Sequence, residues 1–229
     1  MKKGKLIVLD GSDGSGKATQ TRFLLARLKK EGYRVKTLDF PQYEKNFFGK
    51  LIGECLVGDD GDFVKIDPHI GSVLYAADRY ESKPVIERWL KQGFVVVLDR
   101  YVSSNQIHQG GKILHPKRQR EFLTWLDTME HGVFGLPRPD RIIYLDVPTQ
   151  ISQSLLKTED QKRKKVYVSK RKTDLVENDE EYMRRSRENA LKLVRKLNAW
   201  TKIDCTKRGE LCSREAIAEK VWTEVKKVL

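Results

Sequence analysis

The chain of 229 residues has only three cysteines, Cys55, Cys205 and Cys212. They cannot all pair with one another, and Cys205 and Cys212 have no second ligand cluster, so neither a disulfide framework nor a zinc site is expected. A reduced, cytoplasmic setting is the plain expectation. Long apolar runs are absent too. The longest, such as Phe94–Leu98, are strand-sized, far short of the roughly 20 residues of a membrane span. Met1-Lys2-Lys3-Gly4 leads straight into a strand-like run, without the apolar core of a signal peptide. There is no internal repeat and no Gly/Ser linker, so one α/β domain over residues 1–229 is expected. Negative charge is in deficit. Lys and Arg number 45 against 32 Asp and Glu, giving +13 and a pI near 9.6. Such a balance favours phosphate-bearing partners, either nucleotides or nucleic acid, unless it is only a solvated lysine surface. Hydrophobic residues at 39% suffice for a core and exclude wholesale disorder.

Strand-like and helix-like segments alternate. Lys5–Asp10, Tyr33–Asp39, Phe94–Asp99, Arg141–Asp146 and Thr201–Asp204 read as strands. Lys17–Lys30 reads as a helix with an apolar face of Phe23, Leu24, Leu25 and Leu28. Asp67-Pro68 starts another helix. A further one is expected to begin near Pro84 and to stop at Gln92-Gly93. Pro116–His131, Pro148–Leu156, Asp179–Asn198 and Ser213–Leu229 complete the helices. The alternation predicts a parallel five-stranded sheet flanked by helices on both faces, a three-layer sandwich. Its strands are nearly all apolar, as buried parallel strands are. Lys157–Asp174 breaks the pattern. It is too charged for a core and is expected to be an exposed insertion.

After the first strand comes Gly11-Ser12-Asp13-Gly14-Ser15-Gly16-Lys17, followed by Ala18-Thr19 and the first helix. Gly11, Gly16 and Lys17 have the spacing of the phosphate-binding loop (P-loop) of nucleotide-hydrolysing and phosphoryl-transfer proteins. Glycines let successive N–H groups turn inward onto phosphate oxygens. The helix N-terminus adds its dipole, and Lys17 a full charge. The motif asks for Ser or Thr after the lysine to ligate Mg²⁺. Ala18 has no such oxygen, and Thr19 points about 100° away along a helix. Mg²⁺ is therefore expected to be held by phosphates and water.

The run Asp99-Arg100-Tyr101-Val102-Ser103-Ser104-Asn105-Gln106-Ile107-His108-Gln109 closes the third strand. Together with Phe40-Pro41 after the second strand, Leu74-Tyr75-Ala76-Ala77-Asp78-Arg79 and Pro139–Val147, it resembles the thymidylate kinase family in order and spacing over nearly the whole chain. Ile107 and His108 depart from the commoner Ala and Tyr of that pattern. The resemblance implies transfer of the ATP γ-phosphoryl group to dTMP, in the homodimeric, Mg²⁺-dependent manner of the family, with no nucleic acid and no membrane. It implies that Gly11–Thr19 hold ATP, that Arg100 meets the acceptor phosphate, and that Asp99 orients Mg²⁺ through water. Asp13 reaches the sugar or Mg²⁺, or is only a turn residue. Tyr75 and Arg79, four apart on one helix face, suit a base: a ring to stack and a guanidinium to grip a carbonyl or phosphate. Phe40 is either a stacking ring or a core aromatic. Ser104, Asn105 and His108 are pocket candidates. For Asp99 and Arg100 the plain alternatives are a turn cap and a surface ion pair, and for Arg79 a salt bridge to a helix neighbour.

The charged insertion sits where nucleotide kinases carry a lid over ATP. One subtype of the family places a basic residue inside the P-loop; here that position is Gly14. Phosphoryl transfer needs further cations, so Arg163 or Arg171 is the expected lid cation. The rivals are a kinase of AMP, UMP or CMP, a deoxynucleoside kinase, or, from another class, a P-loop ATPase that binds nucleic acid.

Overall fold

The computed structural model describes residues 3–56, 65–156 and 180–229. The elements are β1 (Lys5–Gly11), α1 (Lys17–Lys30), β2 (Val35–Asp39), α2 (Phe47–Leu56), α3 (Pro68–Lys91), β3 (Val95–Asp99), a single turn α4 (Val102–Ser104), a π-helical turn (Asn105–Gln109), α5 (Pro116–Asp127), a second π turn (Thr128–Val133), β4 (Arg141–Asp146), α6 (Thr149–Leu156), α7 (Glu180–Lys196), β5 (Trp200–Asp204), a hairpin β6–β7 (Thr206–Lys207, Glu210–Leu211) and α8 (Arg214–Lys226). The expected lid, with Arg163 and Arg171, lies outside the described residues.

The five main strands form one parallel sheet in the order β2-β3-β1-β4-β5. Strand period two splits its side chains between the faces. Leu6, Val8, Val96, Leu98 and Tyr144 pack with Ile86 of α3 and Leu193 of α7. Ile7, Leu9, Val95, Val97, Ile143 and Leu145 pack with Leu24 and Leu28 of α1 and Ile217 and Val221 of α8. These are the three layers expected. The chain leaves β1 in one direction for β2 and β3, and later crosses to β4 and β5 on the other side. The loop after β1 thus opens at the switch point of the sheet, where α/β folds bind ligands.

The start of α3 is as the sequence implied. Asp67 caps it by accepting from the N–H of His69 at 2.8 Å, with Pro68 in the first turn. Its end is also as implied, with Gly93 at φ 78° after the cap at Gln92. The separate helix expected near Pro84 is corrected: α3 runs unbroken through Pro84 to Lys91. Buried residues lie on both sides of the proline, Arg79 and Ser82 before it and Ile86 after it. Packing of one continuous face outweighs the lost N–H there. The helix α2, the hairpin β6–β7 and both π turns are additions that periodicity did not signal.

Candidate active site

β1 ends in a buried carboxylate, Asp10, which accepts from the N–H of Gly11 at 2.8 Å. The loop then curls back through left-handed backbone at Gly14 (φ 77°) and Gly16 (φ 82°). Gly14 is required twice over, since a Cβ there would also sit 2.2 Å from the carbonyl oxygen of Ser152. Gly16 delivers the chain into α1 with Lys17 as its first residue. The Lys17 ammonium is folded over the loop, donating to the carbonyls of Gly11 (3.0 Å) and Ser12 (2.9 Å). Asp13 lies 3.7 Å from it. The hydroxyls of Ser12 and Ser15 are enclosed and lack a hydrogen-bond partner among the described residues. Buried hydroxyls are ordinarily paired, so this loop offers donors suited to an anion. Ala18 is exposed and Thr19 half-buried.

β3 delivers Asp99 and Arg100 beside this loop. Arg100 has φ 66°, a region few residues other than glycine adopt and one that gathers at functional sites. Its N–H donates to the carbonyl of Leu9 at 2.9 Å, stitching the turn to β1. Its Nη2 donates to Asp13 at 2.5 Å and its Nη1 to Nε2 of His108 at 3.0 Å, with Asp10 3.9 Å away. Arg100 therefore bridges the P-loop and the π turn that carries His108. Since a guanidinium only donates, His108 Nε2 must accept, which leaves the proton on Nδ1, facing Ser186 Oγ at 3.3 Å. The imidazole also stacks on Tyr182 of α7, with centroids 5.9 Å apart. Ser103 and Ser104 both donate to Asp10 Oδ2, at 2.6 and 2.8 Å.

On the far side of Arg100, α3 faces the first π turn. Arg79 is buried. Its Nε and Nη2 donate to the two oxygens of Glu130 at 2.8 and 2.7 Å. The partner is thus not the helix neighbour considered above but a residue 51 positions on, fully enclosed in the second π turn. Asn105 Nδ2 donates to the same carboxylate at 2.8 Å and to the carbonyl of Ser72 at 3.0 Å. Tyr75 is half-buried on α3, against Ile52 and Leu56. Of the two readings of Phe40, the core one describes its surroundings. It is 5% exposed and tilted against Tyr101 at 6.1 Å.

Charge is concentrated here. Burial pushes Lys17 below the usual lysine range, and Arg100 adds to that. Burial likewise raises the Asp99 carboxyl. It opposes the charge on Arg100, but Asp13, Asp10 and Asp99 outweigh it and hold the guanidinium protonated. His108 is pushed down to about 4, by burial first and Arg100 second. Among the described residues no group of three His, Cys, Asp or Glu side chains is placed to hold a metal. An oxygen donor remains, the Asp99 carboxylate. It fits a hard cation such as Mg²⁺ that keeps most of its ligands from phosphate and water.

Sequence reasoning missed Asp10, Ser103 and Glu130, and also the pair of Asp146 at the end of β4 with Arg187 on α7, at 2.7 and 3.2 Å. Glu130 left a trace. It continues the stripe Phe122, Leu126, Met129 at core-facing spacing, where a charged residue needs a buried partner. Asp10 looked like an ordinary strand end.

Compared with known proteins, residues 9–217 match the family model for thymidylate kinase. The chain is 31% identical over 147 residues to thymidylate kinase of Mycobacterium tuberculosis, covering 64% of this chain and 68% of that one. It is 33% identical over 146 residues to human thymidylate kinase, covering 64% and 62%. The solved structure of thymidylate kinase from Candida albicans superposes with a TM-score of 0.72 at 21% identity, over 98% of this chain and 92% of that one.

Proposed function

The chain belongs to the thymidylate kinase family, and from that membership we infer that it is a nucleoside monophosphate kinase that phosphorylates dTMP to dTDP with ATP. The observation that carries the reading at the site is the bridge made by Arg100. One guanidinium touches Asp13 of the donor-phosphate loop and His108 of the acceptor side, as a transfer between two bound phosphates requires.

The acceptor phosphate oxygen attacks the γ-phosphorus, and the bond from that phosphorus to the β-bridging oxygen breaks to release ADP. A phosphate monoester is already largely dianionic near neutral pH, so no general base is needed. Positioning and charge neutralisation carry the rate. Gly11–Thr19 cradle the ATP phosphates, with Lys17 swinging from its two carbonyls onto the migrating group. Arg100 holds the acceptor phosphate. Asp10, Asp13 and Asp99 oppose Lys17 and Arg100, three carboxylates against two cations, so the site needs more positive charge before two phosphorylated ligands share it. Asp99 would hold Mg²⁺ through water, and the ion would supply part of that neutralisation; Arg163 or Arg171, outside the described residues, is the proposed source of the rest.

Base selection falls to Tyr75, Arg79 and Asn105. Arg79 Nη1 and Asn105 Oδ1 make no hydrogen bond to the described residues. A donor beside an acceptor matches the imide edge of thymine, where N3–H adjoins a carbonyl. Cytosine presents the reverse pattern.

The enzyme works as a homodimer in the cytoplasm. The apolar Ile70, Val73 and Tyr80, exposed on α3, supply a face for a second copy. Among the described residues no helix is long and apolar enough to cross a membrane.

A coupled ADP-release assay over a panel of monophosphates tests the acceptor. dTMP is expected to have the highest kcat/KM; AMP or CMP exceeding it would overturn the reading. Stimulation of ATP turnover by DNA or RNA, falling steeply with salt, would point instead to a nucleic-acid-dependent ATPase.

A further inference from the structure

We propose that Glu130 is a specificity-determining positioning residue: it never touches the substrate but fixes the hydrogen-bond polarity with which Arg79 and Asn105 meet the base. The proposal rests on the dTMP reading above.

Glu130 is fully enclosed, and three donors converge on its carboxylate: Nε and Nη2 of Arg79 and Nδ2 of Asn105. Enclosing a carboxylate–guanidinium pair is a poor way to gain stability, since apolar residues of the same volume commonly do as well. The arrangement has a chemical consequence that an apolar pair would lack. An amide side chain can be rotated end for end with little change of shape, exchanging its donor and acceptor. Asn105 cannot be so exchanged here. Its amide nitrogen lies against two acceptors that have no proton to give, the Glu130 carboxylate and the Ser72 carbonyl. Turning it over would set oxygen against oxygen at both contacts. The oxygen of Asn105 is thereby left as an acceptor with no partner among the described residues.

The same carboxylate sets the other reader. Its two oxygens clamp the Nε and Nη2 edge of Arg79, which fixes the plane of the guanidinium and leaves Nη1 a donor without a partner among the described residues. One buried group thus determines both an acceptor and a donor. Glu130 reaches this position through the π turn Thr128–Val133, and Asn105 through the π turn Asn105–Gln109. Such turns redirect side chains and are frequent at functional sites.

Glu130→Gln tests this with almost no change of volume. A glutamine has one acceptor oxygen and one donor group, so it cannot receive all three protons. Either Arg79 loses half of its clamp or the Asn105 amide turns over. With dTMP, dUMP and dCMP as acceptors, kcat/KM for dTMP should fall about ten- to hundredfold, the size of one charge-assisted hydrogen bond. The fall should lie mainly in KM for the monophosphate. dUMP, which shares the imide edge, should fall in parallel. The ratio of dTMP to dCMP should drop by about tenfold or more, while KM for ATP stays within twofold. A purely structural role for Glu130 would lower Tm and leave the ratio unchanged, and an unchanged ratio overturns the proposal. Should the glutamine variant not fold, Glu130→Asp keeps the charge but cannot reach all three donors. Its KM for dTMP should rise at least about fivefold with KM for ATP held, and an unchanged KM for dTMP overturns the proposal. A wild-type enzyme that used dCMP as well as dTMP would overturn the acceptor assignment and this role with it. A wild type that discriminates beside a Glu130→Gln variant that still does would overturn this role alone.

Discussion

His108 should make the fold acid-sensitive at a pH where most proteins are untroubled. Its pKa is pushed down to about 4, against 6.5 for the ordinary imidazole, by burial first and by the charge of the neighbouring Arg100 second. Asp10 and Asp13 act the other way and lose, while Lys17 adds to the depression. As the pH falls, the unfolded chain takes up this proton first, so acid favours unfolding. Stability owed to the neutral ring is fully present above pH 6.5 and is lost as the pH falls towards 4. For these two values, linkage gives a loss of about 2 kcal/mol between pH 7 and pH 5, out of a full span of ~3 kcal/mol. His108→Gln removes the titration while keeping an oxygen able to accept from Arg100. Urea unfolding of both proteins at pH 7, 6 and 5 isolates the effect. Asp99 and Asp78, whose pKa values burial raises, contribute to both proteins and cancel in the difference. The wild type should lose about 2 kcal/mol more than the variant. Equal losses would refute the reasoning, because the ring would then be protonating freely in the fold.

Two more outcomes follow from the phosphate side of the site. Lys17→Ala should nearly abolish turnover, whereas Ala18→Ser, which only adds a hydroxyl at an exposed position, should leave a working enzyme; near-normal steady-state rates in Lys17→Ala would mean that ATP reacts elsewhere. Arg100→Ala should raise KM for dTMP about ten- to hundredfold, one charge-assisted contact, with ATP affinity measured by calorimetry unchanged; a variant weakened equally for both ligands would point to a P-loop disturbed by loss of the Arg100–Asp13 contact.

Much of this protein is written locally. A parallel strand buried on both faces has to be apolar along its length, so Val95–Leu98 and Ile142–Leu145 announce themselves. Helix starts and stops depend on neighbouring residues, so Asp67-Pro68 and Gly93 were legible. The P-loop is a contiguous device whose glycines and lysine must follow one another, and the run from Asp99 to Gln109 keeps its family order in the same way. What the sequence could not reveal depends on approach from a distance. Pro84 reads as a helix boundary because the rule for proline is local, while the continuous burial of Arg79, Ser82 and Ile86 is not. Glu130 is separated from Arg79 by 51 residues and from Asn105 by 25, and no periodicity encodes a hydrogen bond across that span. Arg100 was expected on the acceptor phosphate, but its contacts with Asp13 and His108 arise only because parallel pairing sets β3 beside β1. Both π turns belong to the same class: an extra residue in a helix has no sequence signature, and the packing that stabilises it exists only once the sheet and α3 are in place.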